Sequence, residues 1–298
     1  MLSGEKSYRT ISITLIADGL LFVLILFISV LSRSEAVLSE ALYQLSDVAS
    51  GGLLLYAIWS SLRPPDELHP FGYGLERFFW SFVSGVFVFS VNGAVSILSG
   101  VFDAFNGHRV SNIGWSVLVL LITVVTSMAS LLYIMSRKRQ MFDRKPDSIE
   151  QYHQGVRTVL LQDVMSIVSS CVAIGALGFV YYTGDNLYDS AAAVINGILL
   201  LITGIVLSAE SRGLLIGRGV GRREMVRITR DLQTLPNVNR VRDIKTIYLG
   251  PESLLIVLRI NFRDGLTTDQ LEQSIDVVQG ELARRMPELK HVIVEPES

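Results

Sequence analysis

Residues 36–62 read AVLSEALYQLSDVASGGLLLYAIWSSL, a mostly apolar run with Asp47 near its middle. A helix needs about 20 mostly apolar residues to cross the hydrocarbon core of a bilayer, and this run is long enough. Five other windows qualify as well, which predicts an α-helical membrane protein with six transmembrane helices. The six predicted windows are 11–31, 36–62, 79–102, 113–134, 159–182 and 191–207.

Basic residues are distributed unevenly among the connections between these windows. One set of connections carries nearly all of them: Lys6, Arg9, Arg63, Arg77, Arg137, Lys138, Arg139, Arg144, Lys145, Arg157, Arg212 and Arg218. The other set carries Arg33 and Arg109. Because short loops rich in Lys and Arg stay in the cytoplasm, both termini are predicted to be cytoplasmic, in the cell membrane if the protein is prokaryotic.

The composition favours a bilayer as the main partner of this chain. Half of the 298 residues are hydrophobic, 18% are charged and the net charge is -2, so no nucleic-acid partner is expected. The one cysteine, Cys171, lies inside an apolar window and is expected to fill the core. One cysteine allows neither a disulfide framework nor a cysteine-based zinc site within a single chain.

From residue 210 onward the composition changes, which predicts a transmembrane domain over 1–209 and a cytosolic domain over 210–298. The pattern of this second part predicts an αββαβ order. The elements are a helix at 224–235, strands at 241–249 and 254–262, a helix opened by a capping box of Thr267 and Gln270, and a strand at 291–294. This order is typical of a small, ferredoxin-like α+β domain with its helices on one face of the sheet.

The apolar windows contain the aspartates Asp18, Asp47 and Asp163, and none of these windows contains a lysine or arginine. Ionisable side chains in a membrane are costly and mark functional sites, and unpaired carboxylates there need a cation or protons. Oxygen ligands suit divalent cations such as Mn²⁺, with Zn²⁺ also possible. An enzyme has little support, because no nucleophile–base pair or cofactor motif is present, and no tightly bound cofactor is expected.

Other polar residues accompany these carboxylates. Tyr43 lies one helical turn before Asp47, Gln162 directly precedes Asp163, and Asn92 begins a polar stripe in the third window. Serine and asparagine stripes are more often helix-packing contacts than ligands. Asp18 has a structural alternative too, since it could pair with a neighbouring cation.

Two segments are distinctive: ALYQLSD at 41–47 and HPFGYGLE at 69–76. With Gln162-Asp163, Gly250-Pro251 and HVIVEP at 291–296, the sequence resembles the cation diffusion facilitator family over nearly its whole length. It is most similar to the zinc-transporter-like branch. The resemblance implies a metal site at positions Tyr43, Asp47, Val159 and Asp163, at which Val159 cannot coordinate. Gln162 or Asp18 could then complete the ligand shell.

The resemblance also implies sites outside the membrane. Asp66 and His69 match a second metal site of some relatives, in which Tyr73 replaces a histidine; the alternative is a structured loop beside Pro64 and Pro65. His291 matches a tail position that touches metal in some relatives. In this family the tail dimerises and senses metal.

The expected function is therefore efflux of a divalent cation (zinc, or manganese, iron or cobalt) by a homodimer, in exchange for protons. With no histidine at position 159, the carboxylates themselves would carry the proton. The alternative is a relative that no longer transports and acts as a regulatory or heterodimer partner, for which the valine at position 159 is the main argument.

Overall fold

In this computed structural model the described residues are 2–106, 109–142, 149–251, 253–286 and 288–297, with side chains described at 15–136 and from 160 onward within those ranges. The helices of the first two thirds are α1 (Leu2–Ser32), α2 (Glu35–Ser61), α3 (Glu76–Val83), α4 (Ser90–Asn106), α5 (Ile113–Phe142), α6 (Ile149–Thr183) and α7 (Leu187–Leu215). A π-helical segment, Ser84–Phe89, joins α3 to α4, so that Glu76–Asn106 is one continuous helix.

Within the part of the chain that the structure describes, five helical segments are long and apolar enough to cross a membrane. They are Leu15–Ser32, Glu76–Asn106, Ile113–Ser136, Leu160–Thr183 and Leu187–Leu215. The helix α2 is not among them, because polar residues such as Gln44, Ser46 and Asp47 lower its hydropathy. Five of the six predicted windows thus correspond to such helices, and the full number of six spans remains a prediction.

The chain forms two compact units. The first, called the membrane unit here, comprises Met1–Ala57 and Trp80–Ser211; the second comprises Ile58–Phe79 and Arg212–Ser298. The second unit therefore includes the connection between α2 and α3 as well as the C-terminal part of the chain. Independent folding of the predicted domain 210–298 remains a prediction.

Glycines bring two helices of the membrane unit into close contact. A methyl group added at Gly197 of α7 would lie 2.7 Å from the carbonyl oxygen of Gly93 in α4. The same close approach recurs between Gly85 and Gly204, where an added methyl group would lie 2.6 Å from a backbone oxygen. Small residues let membrane helices pack backbone against backbone, and here they hold α7 against the continuous helix Glu76–Asn106.

The tail, residues 212–298, contains α8 (Arg222–Leu232), β1 (Val238–Gly250), β2 (Ser253–Phe262), α9 (Thr268–Arg285) and β3 (Leu289–Glu297). The sheet order is β1-β2-β3, with β1 antiparallel and β3 parallel to β2. Alternate residues of β2, from Leu254 to Phe262, are buried with Leu232 of α8 and Val278 of α9, so both helices cover one face.

This tail confirms the predicted αββαβ order and its capping box: the Thr267 hydroxyl accepts from the backbone N–H of Gln270, whose side chain accepts from the backbone N–H of Thr267. The strands run farther than predicted, because ladder pairing continues past the apolar residues to Val238 and Glu297. Cys171 is exposed on α6, so the expectation that it fills the core was wrong. Apolar periodicity does not distinguish a lipid-facing position from an interior one.

Candidate functional site

The helices α2 and α6 meet at three predicted site residues. Tyr43 of α2 is fully buried, and its hydroxyl donates to the backbone carbonyl oxygen of Gln162 at 3.1 Å. The side-chain nitrogen of Gln162 donates to Asp47 Oδ1 at 3.0 Å. Gln162 therefore contacts α2 through both its backbone and its side chain, and it fixes the orientation of the Asp47 carboxylate.

Asp163 follows directly in α6 and is oriented by α5. Its Oδ2 atom accepts from the Ser130 hydroxyl at 2.7 Å. Asp163 and Asp18 of α1 both lie within electrostatic range of Asp47, which places three carboxylates in one region of the membrane unit. The Val159 side chain, the remaining position implied by the resemblance, lies outside the described residues.

The two central carboxylates retain unused oxygen lone pairs. Among the described residues, Asp47 and Asp163 each accept one side-chain hydrogen bond, whereas a carboxylate has about four acceptor positions. Both are half-buried and keep some accessible surface. Within the described residues no three His, Cys, Asp or Glu side chains form a ready metal cluster, so amide, phenol or water oxygens would have to complete a shell.

Asn92 of α4 contacts α2 beside the predicted site, and its role as an accessory ligand remains a prediction. It donates to the Ser46 hydroxyl at 2.7 Å, and Ser46 donates to the carbonyl oxygen of Leu42. Asn92 therefore braces the backbone face of α2 next to Asp47. The π-helical segment contributes Phe89, whose ring meets Tyr43 edge to face at 6.3 Å between centroids.

Sequence reasoning missed three further carboxylates of the membrane unit. Glu40 of α2 is fully buried between Ser169 and Ser170 of α6. Asp189 of α7 accepts from the Ser34 hydroxyl and from the first backbone N–H groups of α2, and Asp103 of α4 accepts from Ser190. Glu40 could have been identified from the sequence, because it lies seven residues before Asp47 and therefore on nearly the same helix face.

The predicted second site, Asp66 and His69, lies in the second unit. Asp66 Oδ1 accepts from the backbone N–H groups of Leu68 and His69 and contacts His69 Nδ1 at 3.2 Å; Oδ2 accepts from the Tyr73 hydroxyl at 2.5 Å. The Tyr73 hydrogen bond, followed by the one from the His69 backbone, lowers the pKa of Asp66 below its ordinary range. These hydrogen bonds fit the alternative of a structured loop, and metal binding by Asp66 and His69 remains a prediction.

The same segment packs against the tail within the second unit. The Phe71 ring meets the ring of His291 edge to face at 5.2 Å, and a methyl group on Gly74 would clash with the carbonyl oxygen of Leu249. His291 is thus in aromatic contact in the described structure. Its proposed role as an accessory ligand remains a prediction.

Comparison with known proteins shows which family of proteins has a similar transmembrane domain. The family model described as the cation efflux transmembrane domain matches residues 11–216. The mitochondrial proton-coupled zinc antiporter SLC30A9 of Xenopus laevis is 28% identical over 282 residues, covering 92% of this chain and 50% of that protein. The cation-efflux pump FieF of Klebsiella pneumoniae is 25% identical over 281 residues, covering 94% of this chain and 89% of that protein.

The chain spans about half the length of several curated relatives that it matches. Among solved structures, the Zn form of CzrB is 26% identical over 26% of this chain and 91% of that chain, with a TM-score of 0.24.

Proposed function

The chain belongs to the cation efflux family, and from that premise we propose that it exports a divalent metal ion through a site centred on Asp47 and Asp163. The family assignment confirms the resemblance found in the sequence and makes the chain a multi-pass membrane protein. In this proposal the metal ion is the transported substrate.

One observation carries the proposal: two carboxylates from different helices lie inside the membrane unit with unused lone pairs. Asp47 comes from α2 and Asp163 from α6, and each has one hydrogen-bond donor among the described residues. Two negative charges in this environment are tolerable when they share a cation or bind protons. The half-buried state of both residues suits a site that an ion must enter and leave.

The donor set favours an ion that accepts oxygen ligands. Carboxylates, the Gln162 amide and the Tyr43 phenol are all oxygen donors, which suit Mn²⁺ and Fe²⁺ and also accept Zn²⁺ or Co²⁺. The Tyr43 hydroxyl donates to the backbone carbonyl oxygen of Gln162, and the Gln162 side-chain nitrogen donates to Asp47, so the phenol oxygen and the amide oxygen both keep lone pairs. We therefore expect a weaker preference for zinc than a site with histidine ligands would have.

Proton exchange and dimerisation complete the proposal. SLC30A9 is described as a proton-coupled antiporter, and the same exchange is proposed for this chain. The tail is proposed to join two copies in a homodimer and to respond to cytoplasmic metal, with both chain termini in the cytoplasm. Carboxylates in the membrane unit would carry the protons.

Uptake of Zn²⁺ and Mn²⁺ into proteoliposomes tests the proposal directly. Replacing Asp47 or Asp163 with alanine should reduce uptake to the level of empty vesicles, because each change removes an essential negative ligand. Asp185→Ala is the matched control, because Asp185 is an exposed aspartate of the same unit that only caps its own turn. Undiminished uptake by either folded site variant would refute the proposed site.

The same experiment separates transport from the alternative of a non-transporting partner protein. Metal binding to the wild type, measured by calorimetry and lost in Asp47→Ala, without any uptake would favour that alternative. Uptake by the wild type at rates well above empty vesicles would exclude it.

A further inference from the structure

Glu40 is a buried acid that the metal site does not use. Its side chain is 0% exposed, and its two carboxylate oxygens accept from the hydroxyls of Ser169 at 2.7 Å and Ser170 at 2.9 Å. Both serines are themselves 0% exposed on α6. Among the described residues these hydroxyls are the hydrogen-bond partners of Glu40, and no Lys, Arg or His pairs with it.

Glu40 and Asp47 form two levels of one helix interface. Seven residues separate them on α2, which corresponds to about 10 Å along the axis and nearly the same face. Their partners on α6 keep the same spacing in the opposite direction, since Gln162 contacts Asp47 and Ser169 contacts Glu40. If both termini are cytoplasmic, Glu40 lies on the side of Asp47 that is farther from the cytoplasm.

The surroundings of Glu40 suit a neutral acid. An ionised carboxylate in a dry interior needs a cation or several donors, and Glu40 has two neutral hydroxyls. The titratable groups within its electrostatic range are Tyr43 and Asp47, both on its own helix, and Asp47 is in turn within range of Asp18 and Asp163. The face of α6 that packs against Glu40 contributes serines. Each titratable group named here is either neutral or negatively charged, so none of them offers Glu40 a positive charge.

We propose that Glu40 is the proton-binding site of the membrane unit, separate from the metal ligands and coupled to them through their charge. The proposal rests on the proposed function. A dication between Asp47 and Asp163 favours the ionised form of Glu40, so metal loading releases its proton to water. When the metal leaves, the carboxylate repels Asp47 and takes a proton back from water. One proton is then bound whenever the metal is absent. Antiport requires this opposition between proton binding and metal binding.

Infrared spectroscopy of the full-length protein in lipid vesicles, without metal at pH 7, tests protonation independently of transport. The wild type should show a neutral-carboxyl absorption that Glu40→Gln weakens by the contribution of one acid and that Asp185→Asn leaves unchanged. Glutamine reproduces the shape of the neutral acid, so Glu40→Gln should also fold like the wild type. An unchanged neutral-carboxyl absorption, or a Glu40→Gln protein that does not fold, would overturn the proposal.

Zinc flux in proteoliposomes, with and without a pH gradient, tests the coupling. Glu40→Gln should retain flux driven by the zinc gradient and lose the stimulation that a pH gradient gives the wild type. Retained stimulation would overturn the assignment of Glu40. If neither protein moves zinc while the infrared difference is present, transport has failed as the proposed function and Glu40 still binds the proton.

Discussion

The membrane unit and the tail differ in how many polar side chains they bury. Within the described part of the tail, the core is aliphatic and aromatic, and Ser274 is the one buried polar residue. The membrane unit buries polar side chains throughout, among them Ser39, Glu40, Ser46, Asn92, Asp103, Ser166, Ser169, Ser170, Asp189 and Asn196. It also has apolar clusters around Ile25 and Leu177 and around Phe89 and Leu200. Many of its other large apolar residues lie outward, including Leu20, Val30, Leu98, Phe102 and Ile205.

The difference follows from what surrounds each region. Removing apolar surface from water drives folding of the tail, whereas lipid is as apolar as leucine and gives the membrane helices no such drive. Close backbone packing and interhelical hydrogen bonds must then hold the membrane unit together. The polar interior that results is also where an ion can bind, so stability and proposed function occupy the same residues there.

The largest stability effect is expected in the tail core. Leu258 lies at the centre of β2 and is 0% exposed, so Leu258→Ala should destabilise the isolated tail by about 2–5 kcal/mol through lost burial and a cavity. The measurement is urea unfolding of residues 212–298. Val277→Ala, on the exposed side of α9, should stay within about 0.5 kcal/mol of the wild type. If the isolated tail shows no cooperative unfolding, its core depends on the rest of the chain and does not fold by burial within the tail alone.

A smaller effect should come from the glycine packing of the membrane unit. Gly197→Ala adds a methyl group against the backbone of Gly93 and should cost about 1–3 kcal/mol by overpacking. Gly178→Ala is the matched control on α6, because nothing lies within 4 Å of its added methyl group. Thermal unfolding in detergent should rank Gly197→Ala below the wild type and Gly178→Ala at or above it. The reverse order would mean that the α4–α7 contact is not tight.

Sequence patterns predicted these two regions unequally. The αββαβ tail followed from apolar periodicity and one capping box, since each of its helices and strands buries a single apolar face. In the membrane unit, Asp47, Gln162 and Asp163 were identified as polar exceptions in apolar windows. Their pairing, the buried position of Glu40 and the π-helical turn at Ser84–Phe89 depend on which helix faces are opposed, and local spacing does not determine this.

Position 159 offers a chemical test of the polar interior. In the helix α6, residue 159 comes one turn before Asp163, so Val159→His should place an imidazole on the same helix face. Imidazole favours zinc over harder ions, and the ratio of zinc to manganese affinity should rise about tenfold, which is about 1.4 kcal/mol. Calorimetric titration measures both affinities. The gain should vanish in Val159→His with Asp163→Ala, and an unchanged ratio in Val159→His alone would place residue 159 away from the ion.

The smallest effect is expected at Asp66, a carboxylate that accepts hydrogen bonds from its own loop. Tyr73→Phe removes the hydrogen bond that contributes most to lowering the Asp66 pKa, so that pKa should rise toward its ordinary value of 3.8. Because the pKa of Asp66 is lowered in the folded loop, its ionised form stabilises the loop at pH values above the ordinary pKa. That contribution is lost as the pH falls through the lowered pKa of the folded state. At neutral pH both proteins keep Asp66 ionised, and metal uptake should therefore be nearly unchanged. Carbon-13 NMR titration of labelled aspartate measures the shift; loss of uptake in Tyr73→Phe would show that the loop takes part in metal handling after all.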